Sequence, residues 1–354
     1  MALSADSMRC GEFCTTYGAD NTIFPTPMSR MFAIAGVVLL LFAPLVFDSG
    51  QLNLLIQIGY YGIAALGLNI LVGFSGQISL GHGAFFGFGA FASAWLYNTT
   101  GIPVILCIPL AGLMTTAVGL IVGIPAARIK GLYLAISTLA GQFIIEDFFS
   151  RAAWFTGGSR GALAEPLSLF GYSLDSDAGY FYVVLAFVVV AFLFGANLLR
   201  SRDGRAFVAV RDHYLSAEIM GINLARYRIL AFGVSSFYAG IGGALFAHYL
   251  GFVSAEGFSI SLSIQFLGMI IIGGLGSVMG TLMGTAFMVL LPEVMDWSAG
   301  AVSAFYPGFS QGLAYLREMA IGLAIVLFLI FEPDGLAHRW KLIKAYWKLY
   351  PFSY

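Results

Sequence analysis

Long apolar runs recur along this chain from Met31 almost to its C-terminus. A helix needs roughly 20 apolar residues to span the hydrocarbon core of a bilayer, which is about 30 Å thick. Because 59% of the 354 residues are hydrophobic and only 10% are charged, the chain lacks the polar surface that a soluble protein of this size needs. The runs show no alternation of apolar and polar residues, which favours helices over a barrel. We therefore predict an all-α integral membrane protein.

The apolar runs predict a bundle of nine or ten transmembrane helices, some of them short or broken. Their approximate spans are 31–47, 52–72, 82–97, 103–126, 131–149, 179–199, 228–251, 262–275, 279–292 and 313–331. The runs at 262–275 and 279–292 are unusual, because about 14 residues rise only about 21 Å in a helix. The sequence GGLGSVMG at 273–280 separates them. We expect two short, tilted helices or one broken helix here.

The distribution of positive charge predicts the orientation of the chain in the membrane. With a cytosolic N-terminus and ten spans, all of the 17 Lys and Arg residues lie on the inner side except Arg151, Arg160 and Arg317. Both termini are therefore predicted to be cytosolic. The predicted domains are a cytosolic N-terminal tail over 1–30, a transmembrane domain over 31–332 that contains a cytosolic segment at 200–228, and a basic cytosolic C-terminal tail over 333–354.

The sequence contains no motif of catalysis or metal binding. The four His residues are scattered, and neither HExxH nor a GxxxxGK[ST] phosphate loop occurs. GFSGQISLG at 73–81 is rich in glycine, but it has no Lys to hold a nucleotide phosphate. Cys10, Cys14 and Cys107 are too few and too far apart for a four-ligand zinc site. We expect no catalytic residues, no metal site and no ATP hydrolysis by this chain alone.

The charged segment, defined as residues 200–228, interrupts the apolar sequence. From Arg211 to Asn223 it predicts a short helix that Asp212 or Ser216 caps and that Gly221 and Asn223 end. The apolar residues that we expect to be exposed here are Ala209, Val210, Leu215, Ile219 and Met220. A short amphipathic helix on the cytosolic face suits docking into a groove of a partner protein. The alternative is a solvated loop whose apolar residues pack on the membrane interface.

Two glycine-rich stretches coincide with breaks between apolar runs. The first, at 75–91, contains the polar or small residues Ser75, Gln77, Ser79, His82 and Gly83. The second, at 270–284, contains Gly273, Gly274, Gly276 and Ser277. Unwound backbone within a membrane is tolerated only where it is buried in protein or lines a watery cavity. Both stretches therefore suit a solute pathway, and the alternatives are close helix packing for the first and a tight turn for the second.

The membrane region from about residue 55 to 337 resembles a known family. YYGIAALGLNILVGFSGQISLGHGAFFGFGAF at 60–91 is similar to the segment GLNxxxGxxGxxSLGHGxFxxxGAY of the permease subunits of the branched-chain amino acid family of ABC importers, which also includes urea and short-amide permeases. GLYLAISTLA at 131–140, FTGGSRG at 155–161 and GGLGSVMGTLMG at 273–284 are similar to three more family segments. The matching positions in the first segment are Asn69, Gly73, Gly76, Ser79, Leu80, Gly81, His82, Gly83, Phe85, Gly89 and Ala90. Asn69 thereby joins the candidate pathway residues.

The charged segment is similar to the family's GRAxxAIRxxxxxAexxGIxxxxxKxxAF loop. In ABC importers the corresponding loop is the coupling element, so the resemblance implies that this segment docks on a separate ATPase subunit and transmits its closure. The candidate coupling residues are Gly204, Arg205, Arg211, Asp212, Ala217, Glu218, Gly221, Ile222 and Asn223.

The resemblance also implies the partners of the chain. They are two ATP-binding cassette ATPase subunits that bind the ATP, a homologous second permease subunit, an extracytoplasmic solute-binding protein and membrane lipid. The expected location is a bacterial cytoplasmic (inner) membrane. We expect no cofactor bound by this chain and no nucleic acid among its partners. The solute-binding protein is expected to meet the outer segments 154–165 and 293–316.

The scarcity of charge within the predicted spans suits a net-neutral solute. The family favours branched-chain or related amino acids, with urea or a short amide as the alternative. An autonomous secondary transporter is an alternative of another class. It would need ion-coupling groups such as paired membrane carboxylates, and this chain offers little of that kind.

Overall fold

The computed structural model describes Thr22 and residues 27–129, 131–169, 172–173, 176–303 and 313–349. Helices dominate these residues. They are α1 (Pro27–Leu41), α2 (Ala43–Val46), α3 (Ser49–Asn69), α4 (His82–Thr100), α5 (Val104–Ala126), α6 (Leu132–Arg151), α7 (Ala153–Thr156), α8 (Asp177–Arg200), α9 (Arg202–Asp212), α10 (Tyr214–Ile219), α11 (Leu224–Leu250), α12 (Ile260–Gly273), α13 (Val278–Ser303), α14 (Leu313–Phe331) and α15 (Gly335–Leu349). A π-helix, Ile70–Phe74, continues α3. Most of the N-terminal tail predicted at 1–30 lies outside the described residues.

Four two-residue strands and two 3-10 turns lie in the connections at one end of the bundle. β1 (Ala162–Leu163) pairs antiparallel with β4 (Phe252–Val253), with Ala162 opposite Val253. β2 (Ser168–Leu169) and β3 (Tyr172–Ser173) form a second antiparallel pair. The 3-10 turns are Gly158–Arg160 and Ala255–Phe258. The charged segment follows α8, so the length of this helix separates it from the strands.

The prediction of an all-α membrane protein is confirmed, and helix covers most of each predicted span. Within the described residues, six helical stretches are long and apolar enough to cross a membrane. These are Ser49–Phe74, Val104–Ala126, Leu132–Arg151, Asp177–Arg200, Leu224–Leu250 and Val278–Trp297. Met319–Phe331 and Gly335–Tyr346, bent by 47° at their junction, make a seventh if they are one span. This number is lower than the nine or ten that the apolar runs predict.

Part of the difference lies in α4, which covers the predicted span 82–97. Its mean hydropathy is too low for a lipid-facing transmembrane helix. His82 and Ser93 are fully buried within it, and its last residues are Asn98, Thr99 and Thr100. Protein covers much of this helix, since 12 of its 19 residues are buried. A helix surrounded by other helices does not need the composition of a lipid-facing span.

Two predicted spans differ from the observed helices. The run 31–47 forms α1 and α2, which part at Phe42, because Pro44 has no backbone N–H to continue the α1 ladder. The run 279–292 is not a short helix, because α13 continues for 26 residues through Pro292. The prediction of a short helix at 262–275 is confirmed, because α12 has 14 residues.

The core lies around α11, which packs against α3, α4 and α5. Small residues allow these backbones to approach closely. A side chain at Gly243 would collide with the carbonyl of Phe86 in α4, and one at Gly89 would meet the backbone of Gly240. Aromatic rings fill the adjoining space, with Phe86 contacting Tyr61, Phe246 and Phe266.

The outer surfaces of the bundle are apolar, as lipid contact requires. Ile121 in α5 is 70% exposed, Ile144 in α6 is 69% exposed and Val190 in α8 is 65% exposed. Side chains of this kind in water would form large apolar patches, which soluble monomers rarely carry.

Candidate functional site

The charged segment folds as two helices, α9 and α10, and not as the single helix predicted from Arg211 to Asn223. The helix begins earlier than predicted because Ser201 caps α9, accepting a hydrogen bond from the N–H of Gly204 at 3.3 Å. Ala206, Phe207 and Val210 then bury one face of α9 against the bundle. The helix breaks at His213, which has φ −153° and ψ 82°. The prediction that Asp212 or Ser216 caps the helix is wrong, because no side chain caps α10.

Gly221 ends α10 as predicted. Its φ is +84°, a left-handed value that glycine adopts without cost. Its N–H donates to the carbonyl of Glu218 at 2.9 Å, and the N–H of Ile222 donates to that of Ala217 at 3.0 Å. Asn223 does not belong to this end, because its side chain caps α11 by accepting the N–H of Arg226 at 3.0 Å.

The candidate coupling residues divide into buried and exposed groups. Gly204 and Ala217 are buried, and Gly204 lies so close to Leu198 and Leu199 that a side chain there would collide with their backbone. Glu218 is exposed, and Arg205 is exposed and donates to the carbonyl of Arg200 at 2.8 Å.

The apolar tip of the charged segment, defined as Leu215, Ile219 and Met220, points away from the bundle. These side chains are 57%, 86% and 83% exposed. Val210 was expected to be exposed with them, but it packs into the bundle and is only 5% exposed. A group of exposed apolar side chains of this size marks a contact site for a partner protein or for a membrane.

The first break, residues 75–81, is unwound as predicted. Its burial alternates along the chain: Ser75, Gln77 and Ser79 are buried, whereas Gly76 and Ile78 are exposed. The polar side chains therefore face the protein interior.

The polar residues of the first break, and His82 and Gly83 at the start of α4, bind to the chain itself. Gln77 donates to the hydroxyl of Ser75 and, at 3.3 Å, to the carbonyl of Arg228. His82 Nε2 donates to the carbonyl of Ala64 at 2.8 Å. The N–H of Gly83 donates to Ser263 Oγ at 2.8 Å, and the Ser79 hydroxyl accepts from the N–H of Gly81 at 3.4 Å. These bonds lie among helices within the chain, and a role in a solute pathway stays a prediction.

The second break is a tight turn between α12 and α13. Gly274 and Gly276 have φ values of +111° and +75°. Ser277 Oγ accepts the N–H of Gly280 at 3.0 Å at the start of α13. Gly273 lies directly against Gly280, where neither has room for a side chain.

Asn69, the last residue of α3, binds the second break and the start of α13. Its Nδ2 donates to the carbonyl of Ser277 at 2.9 Å and to Thr281 Oγ1 at 2.7 Å, and its Oδ1 accepts the N–H of Gly276 at 2.9 Å. The side chain is fully buried, as is Thr281. Thr281 was not predicted; it lies in the first turn of α13, where its hydroxyl also donates to the carbonyl of Ser277 at 3.0 Å.

Arg211 connects the charged segment to the end of α3, close to Asn69. Its Nη1 donates to the carbonyl of Gly73 in the π-helix at 2.6 Å, and its Nε pairs with Asp212 at 2.8 Å. Gly76 of the first break also lies against Arg211, because a Cβ on Gly76 would lie 2.8 Å from Arg211 Cγ. Parts of the three predicted stretches thus meet at one end of the bundle. We call this place the polar junction, defined by Asn69, Gly73, Arg211, Gly276 and Thr281.

A second polar cluster lies at the other end of the first break, around Gln142 of α6, which sequence reasoning missed. Gln142 Oε1 accepts the N–H of Ala84 at 2.8 Å and the hydroxyl of Ser263 at 3.1 Å. Its Nε2 donates to the carbonyl of Phe258 at 2.7 Å. A single Gln in an apolar run gives no signal of such a role by spacing.

His248 of α11 forms hydrogen bonds at the end of the bundle where the short strands lie. Its Nδ1 donates to the carbonyl of Glu165 at 2.7 Å, and its Nε2 accepts from Ser93 Oγ at 2.8 Å. The segment 154–165 is therefore held against α4 and α11. Part of the other predicted outer segment, 304–312, lies outside the described residues.

Within the part of the chain that the structure describes, no three His, Cys, Asp or Glu side chains are placed to hold a metal ion. Cys107 is a free, buried thiol in α5. Cys10 and Cys14 lie outside the described residues.

Comparisons with known proteins match this chain to membrane transport components. The family model described as branched-chain amino acid transport system / permease component matches residues 50–331. The high-affinity branched-chain amino acid transport system permease protein LivM of Escherichia coli (strain K12) is 31% identical over 88% of this chain and 75% of the relative.

More distant relatives carry other names. The inner membrane ABC transporter permease protein YjfF of Escherichia coli (strain K12) is 26% identical over 82% of this chain and 85% of its own length. The autoinducer 2 import system permease protein LsrC of Enterobacter sp. (strain 638) is 27% identical over 60% of this chain and 63% of its own length. No solved structure matches the chain significantly.

Proposed function

Because this chain belongs to the family of permease components of branched-chain amino acid transport systems, we propose that it serves an ATP-driven importer of branched-chain or related amino acids. The chain is a multi-pass membrane protein and a permease component of an ABC transporter, and it is not itself an enzyme. The proposed complex lies in a bacterial cytoplasmic (inner) membrane, with both termini of this chain in the cytosol. It contains two ATPase subunits that bind the ATP, a homologous second permease subunit and an extracytoplasmic solute-binding protein.

The apolar tip of the charged segment is the observation that carries this proposal. Leu215, Ile219 and Met220 are exposed on a short helix that is held to the bundle by the buried Ala217. A short helix with apolar anchors on one side fits a hydrophobic groove of a partner. The tip lies in the loop that resembles the coupling element of ABC importers, so an ATPase subunit is the proposed occupant.

The need for a second permease subunit is supported by the arrangement of the first break. Its polar side chains are bonded within this chain, and Ile78 on the opposite side is 45% exposed. The exposed positions of the unwound segment are thus Gly76 and Ile78, and neither has a polar side chain. We propose that the solute passes between this segment and a partner chain.

The proposed solute is net neutral. Among the described residues, the buried polar side chains are Asn, Gln, Ser, Thr and His, with no Asp, Glu, Lys or Arg. A charge in the membrane interior is costly without a partner, so a site for a charged solute needs charged side chains. Zwitterionic amino acids fit this interior, and the relative named LivM is named for branched-chain amino acids.

Affinity purification of the tagged chain from its native membrane in mild detergent tests the complex. We expect the ATPase subunits and a second permease to be recovered with it. Replacing Ile219 and Met220 together by Ser removes the apolar tip and is expected to abolish recovery of the ATPase. Leu163→Ser is the matched control, because Leu163 is 71% exposed at the other end of the bundle. Recovery of the chain alone, with ATP-independent solute movement in liposomes, would instead establish a secondary carrier.

The solute is tested with the purified complex and its binding protein in liposomes. We expect ATP-dependent uptake of radiolabelled leucine that unlabelled isoleucine and valine suppress and that urea or acetamide does not. Suppression by urea or acetamide alone would assign the urea or short-amide class. Leucine uptake without ATP would contradict the importer.

A further inference from the structure

We propose that Arg211 is the positioning residue that connects the docking helix α10 to both breaks in the membrane helices. This inference rests on the proposed function, because it names the route by which ATPase closure reaches the bundle. Arg211 is the penultimate residue of α9, and only His213 separates α9 from α10. A movement of α10 therefore acts on Arg211 across a very short connection.

The guanidinium of Arg211 binds at the end of a helix. Its Nη1 donates to the carbonyl of Gly73 at 2.6 Å, and its Nε donates to Asp212 at 2.8 Å. Gly73 lies in the last turn of the π-helix that ends α3, where carbonyls lack partners within the helix and carry partial negative charge. A cation is favoured at this position, and a charge-assisted bond is stronger than a neutral one.

The Arg211 side chain lies in a slot between two glycines. A Cβ on Gly76 would lie 2.8 Å from Arg211 Cγ, and one on Gly276 would lie 3.4 Å from its Nη1. Both glycines have left-handed φ values, +71° and +75°. Gly76 belongs to the first break and Gly276 to the second. The slot therefore holds Arg211 against both breaks at once.

The contacts continue from Gly73 into α13. A side chain at Gly73 would collide with Asn69 Oδ1 and with the backbone N of Gly276, so these groups are in direct contact with it. Asn69 in turn bonds to Gly276, Ser277 and Thr281. A displacement of the Gly73 carbonyl thus reaches the start of α13 in two ways. One is the close contact between Gly73 and Gly276, and the other is the Asn69 side chain, whose donor and acceptor atoms are both bonded. Close-packed interiors transmit such displacements because they leave no space to absorb them.

Substitution of Arg211 separates docking from transmission. In Arg211→Ala the apolar tip is intact, so we expect the ATPase to be recovered with the complex as in the wild type. ATP-driven uptake and solute-stimulated hydrolysis are expected to fall by about fivefold or more, the lower end of usual coupling energies. Arg211→Lys keeps the charge but not the planar fork, and it is expected to restore part of the uptake.

Arg202→Ala is the matched control for loss of positive charge. Arg202 begins α9 and is exposed, and no contact with either break is described for it. We expect uptake close to that of the wild type. Uptake by Arg211→Ala at the wild-type rate would overturn the inference, and so would loss of the ATPase from that variant, because Arg211 would then serve docking or folding.

Hydrogen exchange of the assembled complex supplies a readout that a purely structural role does not move. On addition of a non-hydrolysable ATP analogue, we expect the exchange of the amides at 273–281 to change in the wild type and to stay unchanged in Arg211→Ala. The same change in both proteins would overturn the route. Failure of the wild-type chain to recover any ATPase would instead overturn the proposed function itself.

Discussion

Asn69 shows how a single buried amide holds two distant parts of a membrane protein together. Its donor and acceptor atoms are both used, within a side chain that has no solvent exposure. Loss of this side chain leaves the fully buried hydroxyl of Thr281 without this partner, and it also removes the bonds to the partly buried N–H of Gly276 and carbonyl of Ser277. An unpaired buried polar group costs more than an ordinary hydrogen bond contributes.

Asn69→Ala is therefore expected to lower the stability of the folded chain by roughly 2–3 kcal/mol. The measurement is the Tm of the detergent-solubilised protein, followed as the monodisperse fraction after heating. Asn53→Ala is the control in the same helix, because among the described residues the Asn53 side chain bonds only to Gln57 one turn away, and it is partly exposed. Equal Tm values for the two variants would show that the polar junction does not hold the fold.

At the scale of the helix, close packing around α11 explains why so many glycines lie in the interior. Gly243 faces α4 where the carbonyl of Phe86 leaves no space for a methyl group, and its Cβ would lie 3.0 Å from the N of Ala90. Helices in a membrane associate largely through such packing, since lipid is as apolar as their own surfaces. A single methyl group at this contact must separate α4 from α11.

Gly243→Ala is expected to destabilise the chain by about 1–3 kcal/mol through overpacking. Gly322→Ala in α14 is the matched control, because a Cβ there meets nothing within 4 Å. An alanine in that open helical position is expected to leave Tm unchanged or to raise it slightly. A Gly243→Ala protein as stable as Gly322→Ala would show that the α4–α11 contact is looser than the structure has it.

The end of α10 depends on backbone conformation and not on space. A Cβ at Gly221 meets nothing within 4 Å, but the φ of +84° is unfavourable for other residues. Gly221→Ile is expected to cost about 1–2 kcal/mol locally, which unwinds the end of α10 and moves Met220. Membrane insertion should be unaffected, and solute-stimulated ATP hydrolysis of the assembled complex should fall.

Gly101→Ile is the control for this prediction. Gly101 also has a left-handed φ, +66°, and open space around it, but it lies at the end of α4 away from the charged segment. Its replacement should leave ATP hydrolysis coupled to the solute. Unchanged coupling in Gly221→Ile would contradict the assignment of α10 as the docking helix.

At the scale of the whole molecule, the bundle has two chemically different ends. The end with the charged segment carries the arginines of α9 and α11, whereas the other end carries the short strands and the loop held by His248. The bias of positive charge predicts that the first end is cytosolic. The length of α8, 24 residues, separates the two ends across the membrane.

Cysteine labelling tests this orientation. In a chain whose three native cysteines are replaced, Leu163→Cys is expected to react with a membrane-impermeant maleimide in spheroplasts. Leu215→Cys is expected to react only after the membrane is opened. Both side chains are exposed, at 71% and 57%, so their accessibility differs only by the side of the membrane. Labelling of both positions in intact spheroplasts would contradict the predicted path of the chain.

Much of the fold is determined by the sequence alone, because the membrane imposes simple rules on it. Apolar runs locate the helices, since backbone groups in lipid must bond within their own segment. The left-handed turn at Gly221 and the unwound segment 75–81 follow from local composition. The limits of this reasoning are seen in α9, where burial of Phe207 extends the helix before the predicted start, and in α4, where protein contact replaces lipid.

The candidate site is decided by the tertiary structure. Asn69, Arg211 and Gly276 are each visible in the sequence, but 138 residues separate Arg211 from Gly73 and 207 residues separate Gly276 from Asn69. No periodicity relates positions so far apart, because their meeting depends on how α3, α9 and α13 pack. Local sequence therefore determined which segments are helical, unwound or charged, and only the packing of the bundle brought the charged segment and both breaks to one polar junction.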